Sequence, residues 1–244
     1  MHEYDYKKAK IAIEEILASP TSIIEKESIP SNEYEYSNTK GIKTWAACVF
    51  VDIADSHHLF DGANEDTIRL MRAYCSELIK LFKEDRNSRE VGIRDDCVYC
   101  IYNLGKKEDL QEIFNTACTI NTFMKMFNKI LVNKGLEPIT AGIGLGCDYE
   151  MIIKVGEPNS HINDKVWIGN AIGHASYLSN IANRNGHSPI AMSSLFYDNV
   201  IPVLEQVTPK YREWLKPIEE NGKVEYYECN FVMQQFNEWI EKNL

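Results

Sequence analysis

Trp45-Ala46-Ala47-Cys48-Val49-Phe50-Val51-Asp52 is a run of seven apolar residues closed by a carboxylate, with Ile53-Ala54-Asp55-Ser56 behind it. Seven apolar residues without alternation predict a strand over 45–52 that is buried on both faces. A second aspartate, in Arg94-Asp95-Asp96-Cys97-Val98-Tyr99-Cys100-Ile101-Tyr102, opens another apolar run after a short polar turn. A carboxylate at the end of a buried strand needs a partner, and a divalent metal is one such partner. Asp52 and Asp96 on neighbouring strand ends can share a pair of Mg²⁺ or Mn²⁺ ions, an arrangement suited to phosphoryl chemistry. The same spacing also fits two strand-end caps that face water.

Working outward, a helix is predicted over 65–83, with Ile68, Met71, Cys75, Leu78 and Phe82 on one stripe. A hairpin follows over 89–93 and 96–103. A second long helix runs over 109–133, closed by Gly135 and Pro138. The next strand, 139–147, carries Gly142, Gly144 and Gly146 on one face, where a helix or a ligand must approach closely. Further elements are a strand over 151–155, a helix over 170–183 and a short strand over 190–192. Two strand-like runs, 211–218 and 223–228, flank Asn221-Gly222, a type I′ hairpin signal. A last helix is predicted over 231–242. Ahead of the first buried strand, residues 7–18 read as a helix stopped by Ser19-Pro20, and polar residues 26–44 as a linker or surface arm. The order β-α-β-β-α-β is the ferredoxin-like split arrangement, so the class is α+β. The chain divides into an N-terminal helical arm (1–44), a catalytic domain (45–230) and a C-terminal helix (231–244) that follows the hairpin.

The 244 residues suffice for one large domain, and 44% hydrophobic content supplies its core. A net charge of −10 argues against nucleic acid and anionic membrane as partners. An anionic substrate therefore needs local positive charge or metal. No run of 18 apolar residues predicts a transmembrane helix, and the start lacks the apolar core of a signal peptide. Seven scattered cysteines, an odd number, read as reduced thiols, so a cytoplasmic location is expected. Cys97 and Cys100 sit three apart in a strand and point to opposite faces, which excludes a redox or zinc motif.

This order resembles the class III nucleotidyl cyclase catalytic domain over about residues 45–230. Phe50-Val51-Asp52-Ile53 is similar to the family's F-x-D-I, and Asp95-Asp96-Cys97-Val98 sits where the family has G-D and apolar residues. Gly142-Ile143-Gly144-Leu145-Gly146 resembles the family's glycine strand. Ile168-Gly169-Asn170-Ala171-Ile172-Gly173-His174-Ala175-Ser176-Tyr177-Leu178 resembles its G-x-x-V-N-x-A-x-R-L helix start. The resemblance implies a homodimer with active sites between subunits and a nucleoside triphosphate as substrate. It implies two Mn²⁺ or Mg²⁺ ions on Asp52 and Asp96, one touching the Ile53 carbonyl. The amides of Ala54, Asp55, Ser56 and His57 would cradle the outer phosphates, and Lys216 falls near a phosphate-binding lysine, with a solvated edge lysine as its other reading.

The departures bear on substrate. The family's transition-state Asn and Arg fall at Gly173 and Tyr177, and neither replacement donates as a guanidinium does. Asn180 and Arg184, one and two helical turns on, are candidates to act in their place, although Arg184 also reads as a helix-end charge facing water. Tyr177 can stack on ribose or base. The purine-reading Lys and Asp of adenylate cyclases map near Gly92 and Val166 and are absent. Arg94 is then a candidate donor to a base carbonyl, and uracil offers two; pairing with Asp95 or a phosphate is its other reading.

Trp167-Ile168-Gly169-Asn170-Ala171 resembles the stand-alone bacterial pyrimidine cyclases of anti-phage defence. That implies conversion of UTP to cyclic UMP, with the product read by a separate cyclic-nucleotide-binding effector. A cytidylate cyclase, an adenylate cyclase with a divergent base pocket and a catalytically dead nucleotide-binding module are the alternatives.

Overall fold

Two long antiparallel strands, β2 (Lys40–Ile53) and β5 (Ala141–Gly156), form the centre of the computed structural model, which describes residues 4–156 and 163–244. They pair continuously from Ile42↔Ile152 to Ile53↔Ala141. On the other side of β2 lies β4 (Cys97–Asn103), itself paired with β3 (Ser88–Arg94). Helix α3 (Glu65–Glu84) joins β2 to β3, and α4 (Lys107–Asn133) joins β4 to β5. The resulting order, β3-β4-β2-β5, is the expected split β-α-β-β-α-β core. The sheet continues through β7 (Ile190–Ser193) and β9 (Lys223–Cys229) to β8 (Lys216–Glu220). Beside it, β1 (Ser22–Glu25) pairs with β2, and β6 (Asn163–Ile168) pairs with β5.

The pleat of β2 sends Ala47, Val49, Val51 and Ile53 to one face, where they pack under α3, α4 and α6 (Ser194–Val207). Ala46, Cys48 and Phe50 face the other way, under α5 (Asn170–Ile181) and the arm residues Ile29 and Tyr36. Both faces are therefore covered, as the unbroken apolar run requires. The glycine face of β5 takes α5. A Cβ at Gly146, Gly144 or Gly142 would stand 2.3, 2.0 or 2.2 Å from the carbonyl oxygen of Ala171, Ala175 or Ser179. The match follows from geometry: four helical residues rise about 6 Å and two strand residues about 6.6 Å.

Several elements differ from the sequence reading. The first core strand starts at Lys40, not Trp45, because β1 supplies a partner for its first residues. The strands expected over 139–147 and 151–155 are one. The apparent polar break at Glu150 is a carboxylate turned inward, whose Oε1 accepts from the Ala171 amide at 2.7 Å. The segment 211–218 is the short helix α7 (Tyr211–Trp214) followed by β8, since Tyr211 and Trp214 pack edge-on against Phe231. Helix α6 lies where the sequence pattern above assigns no element. The Asn221-Gly222 hairpin is as expected, with both residues at positive φ (52° and 75°) between Glu220 and Lys223. Helix α1 (Tyr6–Ala18) buries no residue, and α8 (Gln234–Asn243) ends the chain. No helix among the described residues is long and apolar enough to cross a membrane.

Candidate active site

Asp52 is the penultimate residue of β2, and the pleat that sends Val51 and Ile53 to the α3–α4 side sends it to the α5 side. There Arg184 Nη2 donates to Asp52 Oδ2 at 2.6 Å, with the two side chains 20% and 14% exposed. Arg184 Nη1 donates to the carbonyls of Ser179 (2.7 Å) and Ala182 (3.1 Å), closing the end of α5. The water-facing reading of Arg184 is thus overturned. It assumed a helix through residue 183, but α5 ends at Ile181. Left-handed residues at Asn183, Asn185 and Gly186 then fold the chain back beneath the helix.

Asp96 sits in the two-residue loop between Arg94 and Cys97, which are paired. Burial pushes the Asp52 carboxyl up, the Asp96 charge adds to this, and Arg184 opposes both without cancelling them. Burial and then the charges of Asp52 and Asp96 push the Cys97 thiol up to about 12. Two like charges converging at a strand end with one compensating cation suit a divalent ion. The donors are hard oxygens, which suits Mg²⁺ or Mn²⁺. No group of three or more His, Cys, Asp or Glu placed to hold a metal ion by itself occurs among the described residues. An ion held here would complete its shell from the Ile53 carbonyl, phosphate oxygens and water, the usual habit of Mg²⁺.

The turn after β2 is only partly available to phosphate. The Ala54 amide is committed to the Thr140 carbonyl at 2.8 Å, which corrects the expectation that it joins the cradle. Asp55, in the left-handed region at φ 54°, starts helix α2 (Ser56–Phe60) without a side-chain cap. The Asp55, Ser56 and His57 amides are therefore the remaining donors.

Three other candidates make no hydrogen bond to Asp52 among the described residues. Tyr177 is 58% exposed and lines a cavity of about 350 Å³ with His174, Ser193, Glu220 and Tyr226. Asn180 is exposed and its Nδ2 donates to the Ser176 carbonyl of its own helix. Among the described residues neither bonds to Asp52 or Asp96. Arg94 is exposed at the end of β3; among the described residues no ion pair to Asp95 forms.

Lys216 is paired within its own hairpin. Its Nζ donates to Glu228 Oε1 at 2.9 Å. Glu228 is 1% exposed; its Oε2 also shares a hydrogen bond with His187 Nδ1 (3.0 Å) and accepts from the Ser188 amide (3.2 Å). Burial pushes this carboxyl up, but the Lys216, His187 and Ser188 bonds outweigh it and hold Glu228 below its ordinary range.

No family model matches the chain. A uridylate cyclase of Treponema porcinum is 35% identical over 99% of this chain and 82% of its own length. The chain belongs to the uridylate cyclases. A second uridylate cyclase, from Gulbenkiania mobilis, is 25% identical over 98% of this chain and 97% of its own length. The adenylyl cyclase CyaB of P. aeruginosa shares the fold, with a TM-score of 0.61, 17% identity and coverage of 77% of this chain and 94% of that one.

The sequence reading of this cyclase missed two buried carboxylates. Glu150 is fully buried beneath the start of α5, where a Cβ on Gly169 would fall 2.6 Å from its carboxyl. Glu228 anchors Lys216 and His187. The signal for both is a Glu that alternates with apolar residues on one face of its strand, Glu228 with Tyr226 and Val224 and Glu150 with Ile152.

Proposed function

We propose that this nucleotidyl cyclase converts UTP to 3′,5′-cyclic UMP and pyrophosphate, as a homodimer whose active sites lie between subunits. The observation that carries the reading is the convergence of Asp52 and Asp96 at the ends of adjacent strands, with Arg184 closing on Asp52. The 35% identity to a uridylate cyclase over almost the whole chain supports the uracil base.

The ribose 3′-oxygen attacks the α-phosphorus, the bond from that phosphorus to the α–β bridging oxygen breaks, and the 3′-hydroxyl proton leaves to solvent. Two divalent ions held by Asp52, Asp96 and the Ile53 carbonyl would activate the 3′-oxygen and offset charge on the α-phosphate. The chain's own residues do the rest. Asp55, Ser56 and His57 present backbone amides to the outer phosphates. Arg184 brings a guanidinium to the phosphate end from its own chain, a charged donor that Gly173 and Tyr177 do not supply. Arg94 stands exposed at the end of β3, where it can meet a base carbonyl. Gly173, Tyr177 and Asn180 lie exposed on α5, a surface suited to facing the partner subunit. In a cell the product acts as a second messenger in anti-phage defence, read by a separate effector.

Incubation with Mn²⁺ and UTP tests this. Cyclic UMP and pyrophosphate are expected in equal amounts, and Asp52→Ala is expected to abolish both. Product that persists in Asp52→Ala removes the two-metal reading.

A further inference from the structure

The strand that carries Asp52 also carries, two residues earlier on the same face, Phe50. Its cross-strand partner on β4 is Tyr99. Tyr99 lies with Cys97 and Ile101 on the α5 side of the sheet, the side that Asp52 faces. Two strand residues span about 6.6 Å, so this aromatic pair stands about one ribose length from the carboxylates, where the base of a nucleotide held at Asp52 and Asp96 must lie.

The ring of Tyr99 is held in place from three directions. It stacks on Phe50 with centroids 5.0 Å apart and planes 14° from parallel. It lies across β3 directly over its partner Gly92, where a Cβ would fall 2.3 Å from Tyr99 Cζ and 2.4 Å from its hydroxyl oxygen. Only glycine at 92 leaves room for the ring. The hydroxyl end meets the Glu90 side chain, which Lys165 of β6 pairs at 3.4 Å. Phe50 is buried and Tyr99 is half-buried, so Tyr99 presents the free surface of the pair.

We propose that Tyr99 is the specificity-determining residue of the base pocket: its braced ring is a wall that accepts a single-ring pyrimidine and collides with the second ring of a purine. The inference rests on the nucleotide-cyclase reading above and adds the residue that excludes the wrong base. A rigid obstacle discriminates by building a clash against the larger ligand, which an open pocket cannot do. A rigid aromatic ring also offers a stacking face at little entropic cost.

The test compares UTP with ATP in two readouts, on the wild-type protein, Tyr99→Phe and Tyr99→Ala. The first is the ratio of kcat/KM values with Mn²⁺. The second is the ratio of dissociation constants for 3′-deoxy-UTP and 3′-deoxy-ATP, which cannot cyclise. Tyr99→Ala is expected to shrink the preference for UTP at least tenfold in both ratios, while Tyr99→Phe keeps the wild-type ratio. If Tyr99→Ala fails to fold, Tyr99→Leu replaces it, with the same expectation. A folded variant whose ratios stay within twofold of wild type overturns the proposal. A wild-type protein that makes no cyclic UMP overturns the parent reading instead, and the binding ratio still reports on Tyr99.

Discussion

Replacing Arg184 with Met removes a guanidinium that bonds to Asp52, Ser179 and Ala182 at 2.6, 2.7 and 3.1 Å while keeping much of its apolar length. The bond to a carboxylate contributes about 1.5–3 kcal/mol and each carbonyl bond about 1 kcal/mol. Both side chains of the ion pair keep some solvent, which discounts the first figure. The expected loss is then about 2–4 kcal/mol, which in a chain of this size lowers Tm by about 5–12 °C without metal. Mn²⁺ should reverse much of this. Ligand at a hundredfold over its Kd returns about 2.7 kcal/mol, and in Arg184→Met the ion no longer competes with a resident cation. The Mn²⁺-induced rise in Tm should therefore be larger in the variant than in wild type. The pH dependence has a defined sign. Asp52 has a raised folded pKa, so the folded state holds its proton more tightly than the unfolded state, and stability falls as pH rises above the ordinary aspartate range. Removing Arg184 raises that pKa further and extends the fall to higher pH. Thermal melts from pH 4 to 8, with and without Mn²⁺, read all three effects. A variant that melts within 2 °C of wild type and gains no more from Mn²⁺ refutes the reasoning.

Gly144→Ala places a Cβ 2.0 Å from the Ala175 carbonyl oxygen, which is backbone and cannot move aside cheaply. A destabilisation of about 3 kcal/mol or more is expected, with α5 lifted from the sheet, checked by denaturant unfolding. Glu228→Gln keeps the shape but removes the charge that Lys216 and His187 meet, so a loss of about 1–3 kcal/mol is expected at pH 7. Glu228 has a lowered folded pKa, so its contribution is present above the unfolded value near 4.3 and lost as pH falls through the folded one; the stability profile of Glu228→Gln should be flatter on the acid side. Asp96→Asn should weaken Mn²⁺ binding and cut turnover at least a hundredfold with little change in Tm, checked by Mn²⁺ titration and product assay.

Much of the fold is legible in the sequence because its signals are local. The apolar run 45–51 declares a doubly buried strand, the alternation of Gly142, Gly144 and Gly146 declares a close approach, and Asn221-Gly222 declares its turn. Helix α6 is equally legible, with Phe196, Val200, Ile201 and Leu204 at helical spacing behind the Ser193 cap. The site divides differently. Asp52 and Asp96 announce themselves as carboxylates at breaks in apolar runs. Arg184 does not, because its inward turn depends on three left-handed residues after α5; the Asn183-x-Asn185-Gly186 composition hints at the turn but not at its target. The pairing of Lys216 is not legible, since its partner Glu228 comes from the neighbouring strand of the hairpin. The same holds for Tyr99, whose place over Gly92 is a cross-strand relation.

The central claim is that this chain cyclises a pyrimidine nucleotide. The most direct test offers ATP, GTP, CTP and UTP separately to the purified protein with Mn²⁺ and identifies products by mass spectrometry. The account predicts cyclic UMP as the fastest product. Cyclic AMP or cyclic GMP formed faster than either pyrimidine product, or no cyclic product from folded protein, would contradict it.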